Sequence, residues 1–317
     1  MKKNLLFLLW FLVFSSILLC FKVKSYEDAK PKVVVVLKDL NTEYWEIVKA
    51  GADKGFQDFG INGQVVAPRT GLKEDVQQGY LLEKILKEKP DVLVVSPFQS
   101  SAILGGLNNF VKNKIPVILV DTDIPFKNKT AFIGSNNFEL GRTAGELLAS
   151  QLQPEDEVAL IAGDVTSPVI GDRINGAKLS LEAVGIKIEA DKENLPNEPK
   201  PVRNAMLKIL QQHPNIKGLF ATTDIMALSA LDVLNKQGYQ IPVIGADGIS
   251  KIDEEIVNDT LKSTVAQNPY DMGYLSVATA LKVLKKERVE KNTYTGVDII
   301  TNDNAQQKLD FLNKLLR

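Results

Sequence analysis

The stretch "VVVVLKDLNTEYWEIVKAGADKGFQDFG", residues 33–60, predicts the fold of the chain. Its first five residues, Val33–Leu37, form a continuous apolar run rich in β-branched side chains, which is typical of a strand buried on both faces. From Glu43 onward apolar residues recur at helical spacing, and Gly60 is a suitable helix terminator. The loop between them follows the carboxyl end of the strand, where ligands bind in open α/β sheets. The aromatic pair at positions 44–45 therefore either packs beneath the sheet or lines a cleft.

Short buried strands and amphipathic helices alternate along the chain after Pro31. Strand-like segments such as "DVLVVSP" (91–97), "PVILVDTD" (116–123) and "KGLFATTD" (217–224) are each followed by a loop or a helical pattern. This alternation, with short loops, is typical of βαβ units on a parallel sheet. The pattern starts a second time at "AFIGSN" (131–136). We therefore predict an α/β fold with two doubly wound parallel-sheet lobes and a ligand cleft between them.

Two extended stretches near the C-terminus predict that the lobes exchange segments. These stretches, "LKSTVAQNP" (261–269) and "TYTGVDIITN" (293–302), flank a long helical pattern. The chain would cross between the lobes at each of them and so build a hinge of several strands. The predicted division is residues 1–30 as a leader or anchor, 31–135 with 268–296 as the N-terminal lobe, and 136–267 with 297–317 as the C-terminal lobe.

Composition excludes several classes of protein. The 317 residues leave room for two domains, and 44% hydrophobic with 24% charged residues is ordinary for a globular chain. The formal net charge is -1, and the lysines are interleaved with acids, so there is no basic face for a nucleic acid. One cysteine cannot form an intrachain disulfide or a cysteine-based zinc site. We expect neither a metal nor a cofactor.

The N-terminus predicts a membrane-directed segment. An apolar run from Leu5 to Phe21 is flanked by lysines on both sides, as in a secretory signal or a single membrane anchor. Cys20 is preceded by Leu19, whereas a lipoprotein site requires a small residue there. We expect a retained anchor rather than a cleaved signal, with the folded part of the chain outside the cytoplasm.

Polar and aromatic side chains stand where the predicted strands end. Because the carboxyl ends of parallel strands share one edge of a sheet, these side chains are expected to converge on the cleft. They are Tyr44, Trp45, Ser96, Asp121, Thr122, Thr223, Asp247 and Gln267.

This combination suits a neutral polyol. An ionised aspartate accepts hydrogen bonds from neighbouring hydroxyls, and such charge-assisted bonds are strong. An aromatic face packs against the C–H face of a sugar ring and leaves its polar edge for hydroxyls. Thr223 and Asp224 could instead be helix caps. That alternative is weaker for Asp121 and Asp247, which occupy corresponding places in the two halves.

At these residues the sequence resembles the type I periplasmic sugar-binding proteins, and the ribose-binding group in particular. The resemblance extends over nearly everything after Pro31. It rests on motifs in the order and spacing of that family: "LNTEYW", "VVSPFQSSAI", "PVILVDTD", "IGDRINGAK", "GLFATTDIMALSAL", "PVIGADG" and "STVAQNPYDMG". It implies two lobes that close over one monosaccharide. The sugar contacts that it implies fall on Tyr44, Trp45, Ser96, Asp121, Thr223, Asp247 and Gln267.

Two departures from the ribose-binding pattern bear on the ligand. Thr122 stands where those proteins have an arginine directly after the fourth-strand aspartate, and Gly171 replaces a second cleft arginine. The neighbouring Arg173 either substitutes for that second arginine or is structural. Because two guanidinium groups are lost, ribose itself is a weaker candidate. The opening "KDLNTEYW" (38–45) resembles that of the xylose-binding branch, so D-xylose is the first expectation.

Other functions fit the sequence less well. It contains no nucleophile elbow, Walker loop or histidine-centred metal motif, so we expect no catalysis. The pair Asp121 and Asp123 could imitate a carboxylate dyad, but nothing places the two across a scissile bond. The sugar-responsive repressors resemble the same core, yet they carry an N-terminal helix-turn-helix domain that is missing from this sequence.

Two partners remain open for a monosaccharide receptor outside the cytoplasm. One is the permease of an ABC transporter, which receives the sugar. The other is a membrane histidine kinase, which senses the closed receptor. The anchor-like apolar run slightly favours sensing.

Overall fold

A computed structural model describes residues 31–68 and 74–317 of the chain. The strands within these residues are β1 (Lys32–Val36), β2 (Asn62–Val66), β3 (Val92–Val95), β4 (Val117–Val120), β5 (Ala131–Gly134), β6 (Glu157–Ile161), β7 (Lys187–Lys192), β8 (Gly218–Ala221), β9 (Val243–Ile244), β10 (Ser263–Gln267), β11 (Asn292–Tyr294) and β12 (Val297–Thr301).

Helices follow most of these strands. Within the same residues they are α1 (Glu43–Phe59), α2 (Glu74–Lys87), α3 (Ser101–Lys112), α4 (Asn137–Ala149), α5 (Pro168–Ala183), α6 (Pro199–Gln212), α7 (Asp224–Lys236), α8 (Ser250–Val257), α9 (Pro269–Leu284) and α10 (Ala305–Leu315).

The strands form two parallel sheets and one antiparallel ribbon. The N-terminal sheet has six strands in the order β11-β5-β4-β3-β1-β2, and the C-terminal sheet has four in the order β7-β6-β8-β9. Strands β10 and β12 pair with each other as the ribbon. Strand β11, from the end of the chain, is thus an edge strand of the sheet that the first residues began. The predicted α/β fold with parallel sheets is confirmed.

Both faces of each sheet are covered by helices. In the N-terminal sheet one face packs against α1 and α9, and the other against α2 and α3. In the C-terminal sheet α4 and α5 cover one face, while α6 and α7 cover the other. This burial from two sides explains why the central strands read as unbroken apolar runs instead of alternating patterns. Residues Val33–Leu37 are completely buried.

Residues 33–60 fold into the strand and helix that the sequence predicts. Helix α1 begins at Glu43 and ends at Gly60, whose φ of 64° is the left-handed conformation that glycine adopts freely. The turn before it is held by the Asp39 carboxylate, which accepts the backbone N–H groups of Asn41 and Thr42.

The predicted leader or anchor, residues 1–30, lies outside the described residues. Among the helices of the described residues, none is both long and apolar enough to cross a membrane.

Candidate functional site

Asp121, at the carboxyl end of β4, is the centre of a buried group that we call the Asp121 cluster. Its carboxylate accepts hydrogen bonds from the hydroxyls of Tyr44 (2.8 Å), Thr122 (2.7 Å) and Ser96 (3.2 Å). The Lys38 ammonium lies 3.8 Å from the same carboxylate and donates to the Thr122 hydroxyl at 2.7 Å. Asp121 has a φ of 64°, a conformation that is uncommon outside glycine and frequent at functional sites. Three strand ends thus meet on one carboxylate.

Lys38 is the member of this cluster that the sequence did not single out. Burial lowers the pKa of its ammonium, and the Asp121 carboxylate opposes that change. The ammonium also lies 5.8 Å from the ring centroid of Trp45 and 5.7 Å from that of Phe98, within the range of cation–π attraction. It provides a positive charge beside Asp121, where the ribose-binding pattern has an arginine and this chain has Thr122. The sequence feature that could have identified Lys38 is its position, one residue after the apolar run Val33–Leu37 and thus at the end of a strand.

The two aromatic residues of the opening stretch take different positions. Tyr44 is partly buried, and burial raises the pKa of its phenol well above the ordinary value, with Asp121 and Asp247 adding to the shift. It therefore stays protonated and donates to Asp121. Trp45 is 8% exposed and packs among the apolar residues between β1 and α1. Its ring meets that of Tyr44 edge to face at 5.1 Å. Most of the Trp45 side chain is therefore packed in the core, as the packing alternative predicts.

Asp247, which follows β9, is the centre of a second group that we call the Asp247 cluster. One carboxylate oxygen accepts from the Arg173 guanidinium at 3.0 Å and from the Gln267 amide at 3.1 Å. Gln267 accepts in turn from the Ser135 hydroxyl at 2.9 Å, and Arg173 donates to the Asn137 side chain at 3.0 Å. All of these residues except Asp247 are less than 9% exposed. The cluster joins the end of β5, the ribbon and the C-terminal sheet.

A buried carboxylate fixes the loop that carries Asp247. Asp224, at the start of α7, accepts the backbone N–H groups of residues 246–249, at 2.6–3.2 Å. Burial raises the pKa of Asp224 to about 7, and the nearby Asp247 charge adds to that shift. The second Asp247 oxygen accepts the backbone N–H of Asp224 at 3.1 Å. Asp224 therefore acts on the site through the loop geometry.

The position of Arg173 depends on a close contact between two helices. A Cβ atom on Gly141 in α4 would lie 2.0 Å from the Arg173 carbonyl oxygen in α5, so only glycine permits this spacing. Arg173 also donates to the Thr222 carbonyl at 2.7 Å, at the end of β8. The sequence left open whether Arg173 is structural or belongs to the site. Arg173 makes one contact of each kind: it links α5 to the end of β8, and it donates to Asp247.

Thr223 and Asp123, which the sequence analysis considered, belong to neither cluster. Thr223 is the N-cap of α7: its hydroxyl accepts from the Met226 backbone N–H and donates to Asn197. This corresponds to the capping alternative. Asp123 pairs with Lys129 and makes no contact with Asp121, so the two aspartates do not form a dyad.

The charges of the two clusters influence each other. The charge of Asp247 influences Tyr44, and that of Arg173 influences Lys38, so the two groups are close enough to interact. A cavity of about 550 Å³ opens beside Lys38 and Thr122 and reaches residues 164–167 after β6. This volume lies within the usual range for small-molecule sites. The acidic residues that line this cavity are Glu74, Asp75 and Asp164.

The arrangement is chemically suited to hydrogen bonding with hydroxyl groups. Two positive side chains, Lys38 and Arg173, balance the two negative ones, Asp121 and Asp247. The residues of the clusters therefore contribute no net charge, while carboxylates, hydroxyls and amides offer both acceptors and donors. Three acids in the lining of the cavity, Glu74, Asp75 and Asp164, add a negative potential that disfavours anions.

Known proteins share this fold along most of their length. The D-ribose/D-allose-binding protein of Pseudomonas aeruginosa is 27% identical over 310 residues, which cover 90% of this chain and 94% of that one. A carbohydrate-transporter solute-binding protein from Agrobacterium radiobacter, solved with D-arabinose, is 28% identical with a TM-score of 0.80, covering 90% of this chain and 99% of the other. The XylFII–LytSN complex contains a chain that matches at 22% identity and a TM-score of 0.77, covering 86% and 98% respectively. At that identity the likeness concerns the fold.

The family of the chain is assigned from a match that extends over most of its length. The profile of the periplasmic binding protein domain matches residues 33–288, which include every residue of the two clusters. Proteins of this family bind solutes, and the Pseudomonas aeruginosa relative bears the name of a sugar-binding protein. The chain belongs to the periplasmic binding protein family and, within it, to the type I sugar-binding proteins.

Proposed function

We propose that the protein is an extracytoplasmic receptor for one neutral monosaccharide, bound between the Asp121 and Asp247 clusters. The observation that carries this proposal is the presence of two carboxylates, one buried at Asp121 and one half-buried at Asp247, each compensated by one cation. Sugar hydroxyls donate to such carboxylates and accept from the lysine, guanidinium and amide groups beside them. A wrong epimer leaves a buried donor or acceptor unpaired, at a cost of about 1–3 kcal/mol for each group.

The charge balance supports a neutral sugar over an acidic one. A sugar phosphate or uronate would add a negative charge to a site without surplus positive charge, beside a cavity lined by three further acids. The named relatives point to ribose, allose and arabinose as alternatives. D-xylose remains the first candidate because of the resemblance of residues 38–45 to the xylose-binding branch.

We further propose that binding shifts a closure equilibrium. Residues 31–135 with 268–296 and residues 136–267 with 297–317 would act as two lobes, each presenting one cluster. A sugar that contacts both clusters stabilises the closed arrangement by the contacts available only there. Among the site residues, Tyr44, Ser96, Asp121 and Lys38 belong to the first lobe, and Arg173, Asp247 and Gln267 to the second.

The closed receptor would be read by a membrane partner, and two kinds are proposed. The permease of an ABC transporter is supported by the transport relatives. A membrane histidine kinase is the alternative, supported by the apolar run at residues 5–21 and by the fold of the XylFII–LytSN complex. An anchored receptor favours sensing, since it stays beside its partner.

A sugar panel tests the binding proposal. The full-length chain is titrated with D-xylose, D-ribose, D-arabinose, D-allose and D-glucose, followed by tryptophan fluorescence and by calorimetry. The anionic analogues D-glucuronate and D-ribose 5-phosphate serve as matched controls for charge. Trp45 is the only tryptophan among the described residues and packs beside Tyr44, so it reports changes at the Asp121 cluster.

The expected result is saturable binding of one pentose, with much weaker binding of its epimers and none of the anionic analogues. Preferential binding of an anionic analogue would contradict the charge argument. Absence of heat and fluorescence change with every neutral sugar would contradict the proposed ligand class.

A further inference from the structure

Helix α8 lacks a local cap at its N-terminus, and a residue from the other side of the cleft takes that role. Its N-cap residue, Ile249, has no side-chain acceptor to offer the first turn. The Glu43 carboxylate, 207 positions earlier in the chain, accepts from the Ser250 backbone N–H at 2.6 Å and from the Ser250 hydroxyl at 2.9 Å. Both bonds are charge-assisted, and the carboxylate lies at the positive end of the α8 dipole.

Glu43 also lies at the first position of α1, so its carboxylate is close to two helix N-termini. Helix α1 has no side-chain cap from Thr42, and its first turn benefits from the same negative charge. One carboxylate thereby connects the start of α1, which follows the N-terminal sheet, with the start of α8, which follows the C-terminal sheet. We call this contact the Glu43–Ser250 bridge.

The bridge is adjacent in the chain to both clusters of the site. Glu43 directly precedes Tyr44, whose hydroxyl donates to Asp121. Ser250 follows the loop that starts with Asp247, and the Asp224 carboxylate holds that loop rigidly. A shift of α1 relative to α8 would therefore change the distance between the Asp121 and Asp247 clusters with little compensation inside either one.

We propose that Glu43 is a positioning residue that sets the separation of the two clusters through the Glu43–Ser250 bridge. This inference rests on the proposed function, because it makes the bridge a determinant of sugar affinity and epimer discrimination. Glu43 acts without touching the ligand. Loss of the bridge lowers affinity because the two half-sites no longer meet the same sugar in the same geometry.

The first test compares dissociation constants in the full-length chain. Glu43→Ala is expected to raise the dissociation constant for the bound sugar about tenfold and to reduce discrimination between epimers. Glu43→Gln keeps one acceptor, so its dissociation constant is expected to lie between those of the wild type and Glu43→Ala. Ser250→Ala is expected to add little in the Glu43→Ala background, since the bond of the Ser250 hydroxyl is already lost with the Glu43 carboxylate. Glu46→Ala, an exposed acid one turn along α1, is the matched control and should leave the constant unchanged.

The second test measures geometry without a ligand. Spin labels at Lys112→Cys and Gln237→Cys, both exposed and on the two sides, report the distance between them in a Cys20→Ser background. The Glu43→Ala change is expected to broaden this distance distribution, while Glu46→Ala leaves it narrow. An unchanged distribution, or an unchanged dissociation constant in a chain that binds sugar, would overturn the inference. If the wild-type chain binds none of the sugars, the proposed ligand class fails, and the distance measurement alone then decides on the bridge.

Discussion

The Asp121 and Asp247 clusters hold the same functional group by different means. Asp121 is surrounded by side-chain donors, three hydroxyls and one ammonium, all of which can rotate. Asp247 is bound by a buried guanidinium, an amide and a backbone N–H, in a loop whose own N–H groups are fixed by Asp224. One half of the site can therefore adapt to a ligand, while the other half is preorganised. We therefore expect the larger share of binding energy from the Asp247 cluster.

Removal of the Asp247 carboxylate tests the preorganised half and should have the largest effect. Asp247→Ala takes away an acceptor for the sugar and leaves the buried Arg173 guanidinium without its partner. Truncation of one partner of a hydrogen-bonded charge pair in a binding site costs about 3 kcal/mol of binding free energy, so affinity for the sugar should fall about a hundredfold. Calorimetry measures the affinity, and circular dichroism checks that the chain stays folded.

Asp123→Ala is the matched control, because Asp123 lies two residues after Asp121 at the same end of β4 but pairs with Lys129. It should bind sugar normally. Near wild-type affinity in a folded Asp247→Ala variant would remove Asp247 from the site and reverse the ranking of the two halves.

A buried acid behind the preorganised half should lower stability as the pH rises. Asp253 in α8 is completely buried, and neither carboxylate oxygen has a hydrogen-bond partner. Burial raises the pKa of Asp253 to about 7, with Asp224 adding to the shift. Between about pH 4 and pH 7 the unfolded chain releases this proton and the folded chain keeps it, so the free energy of unfolding falls as the pH rises.

Replacement of Asp253 by asparagine removes this dependence. Asp253→Asn should raise the free energy of unfolding by about 2 kcal/mol at pH 7.5 and by little at pH 4. Urea denaturation at the two pH values measures the difference, and Asp310→Asn in an exposed part of α10 is the control. Equal gains at both pH values would show that packing, and not the ionisation of Asp253, is responsible.

Replacement of Lys38 tests the adaptable half, with a smaller expected effect. Lys38→Met removes the cation next to Asp121 but keeps the length and most of the volume of the side chain. The three hydroxyls continue to donate to Asp121, so affinity should fall only about tenfold. Lys49→Met, at a lysine of α1 that pairs with Asp53, is the control for loss of charge. A loss as large as that of Asp247→Ala would remove the distinction between the two halves.

Apolar periodicity and strand-end position were sufficient to predict the fold and the location of both clusters. The run Val33–Leu37 specified a strand buried from two sides, and the matching places of Asp121 and Asp247 placed both at the same kind of sheet edge. What could not be predicted are contacts that depend on the distance between elements. Trp45 packs mostly in the core, because helical spacing alone does not fix how far α1 is rotated toward the cleft.

Side-chain roles were predicted less well than positions. Lys38 was missed because a lysine one residue beyond a strand usually points to solvent, whereas here Asp121 and two aromatic rings receive it. Thr223 illustrates the converse case, since the same strand-end position also suits a helix cap. The deciding partner of Lys38 is Asp121, far away in the sequence, whereas that of Thr223 is the Met226 backbone N–H three residues later.

The late position of β11 in the chain has a consequence for the order in which the protein can fold. Helix α9 packs on α1, and β11 completes the edge of the sheet that β1 began more than 250 residues earlier. Helix α10 likewise packs on α8 of the other half. A chain that emerges from its N-terminus onward therefore cannot finish either half until nearly all of it has emerged. Neither half can reach its native packing before these late segments are available, and long-range contacts of this kind slow folding.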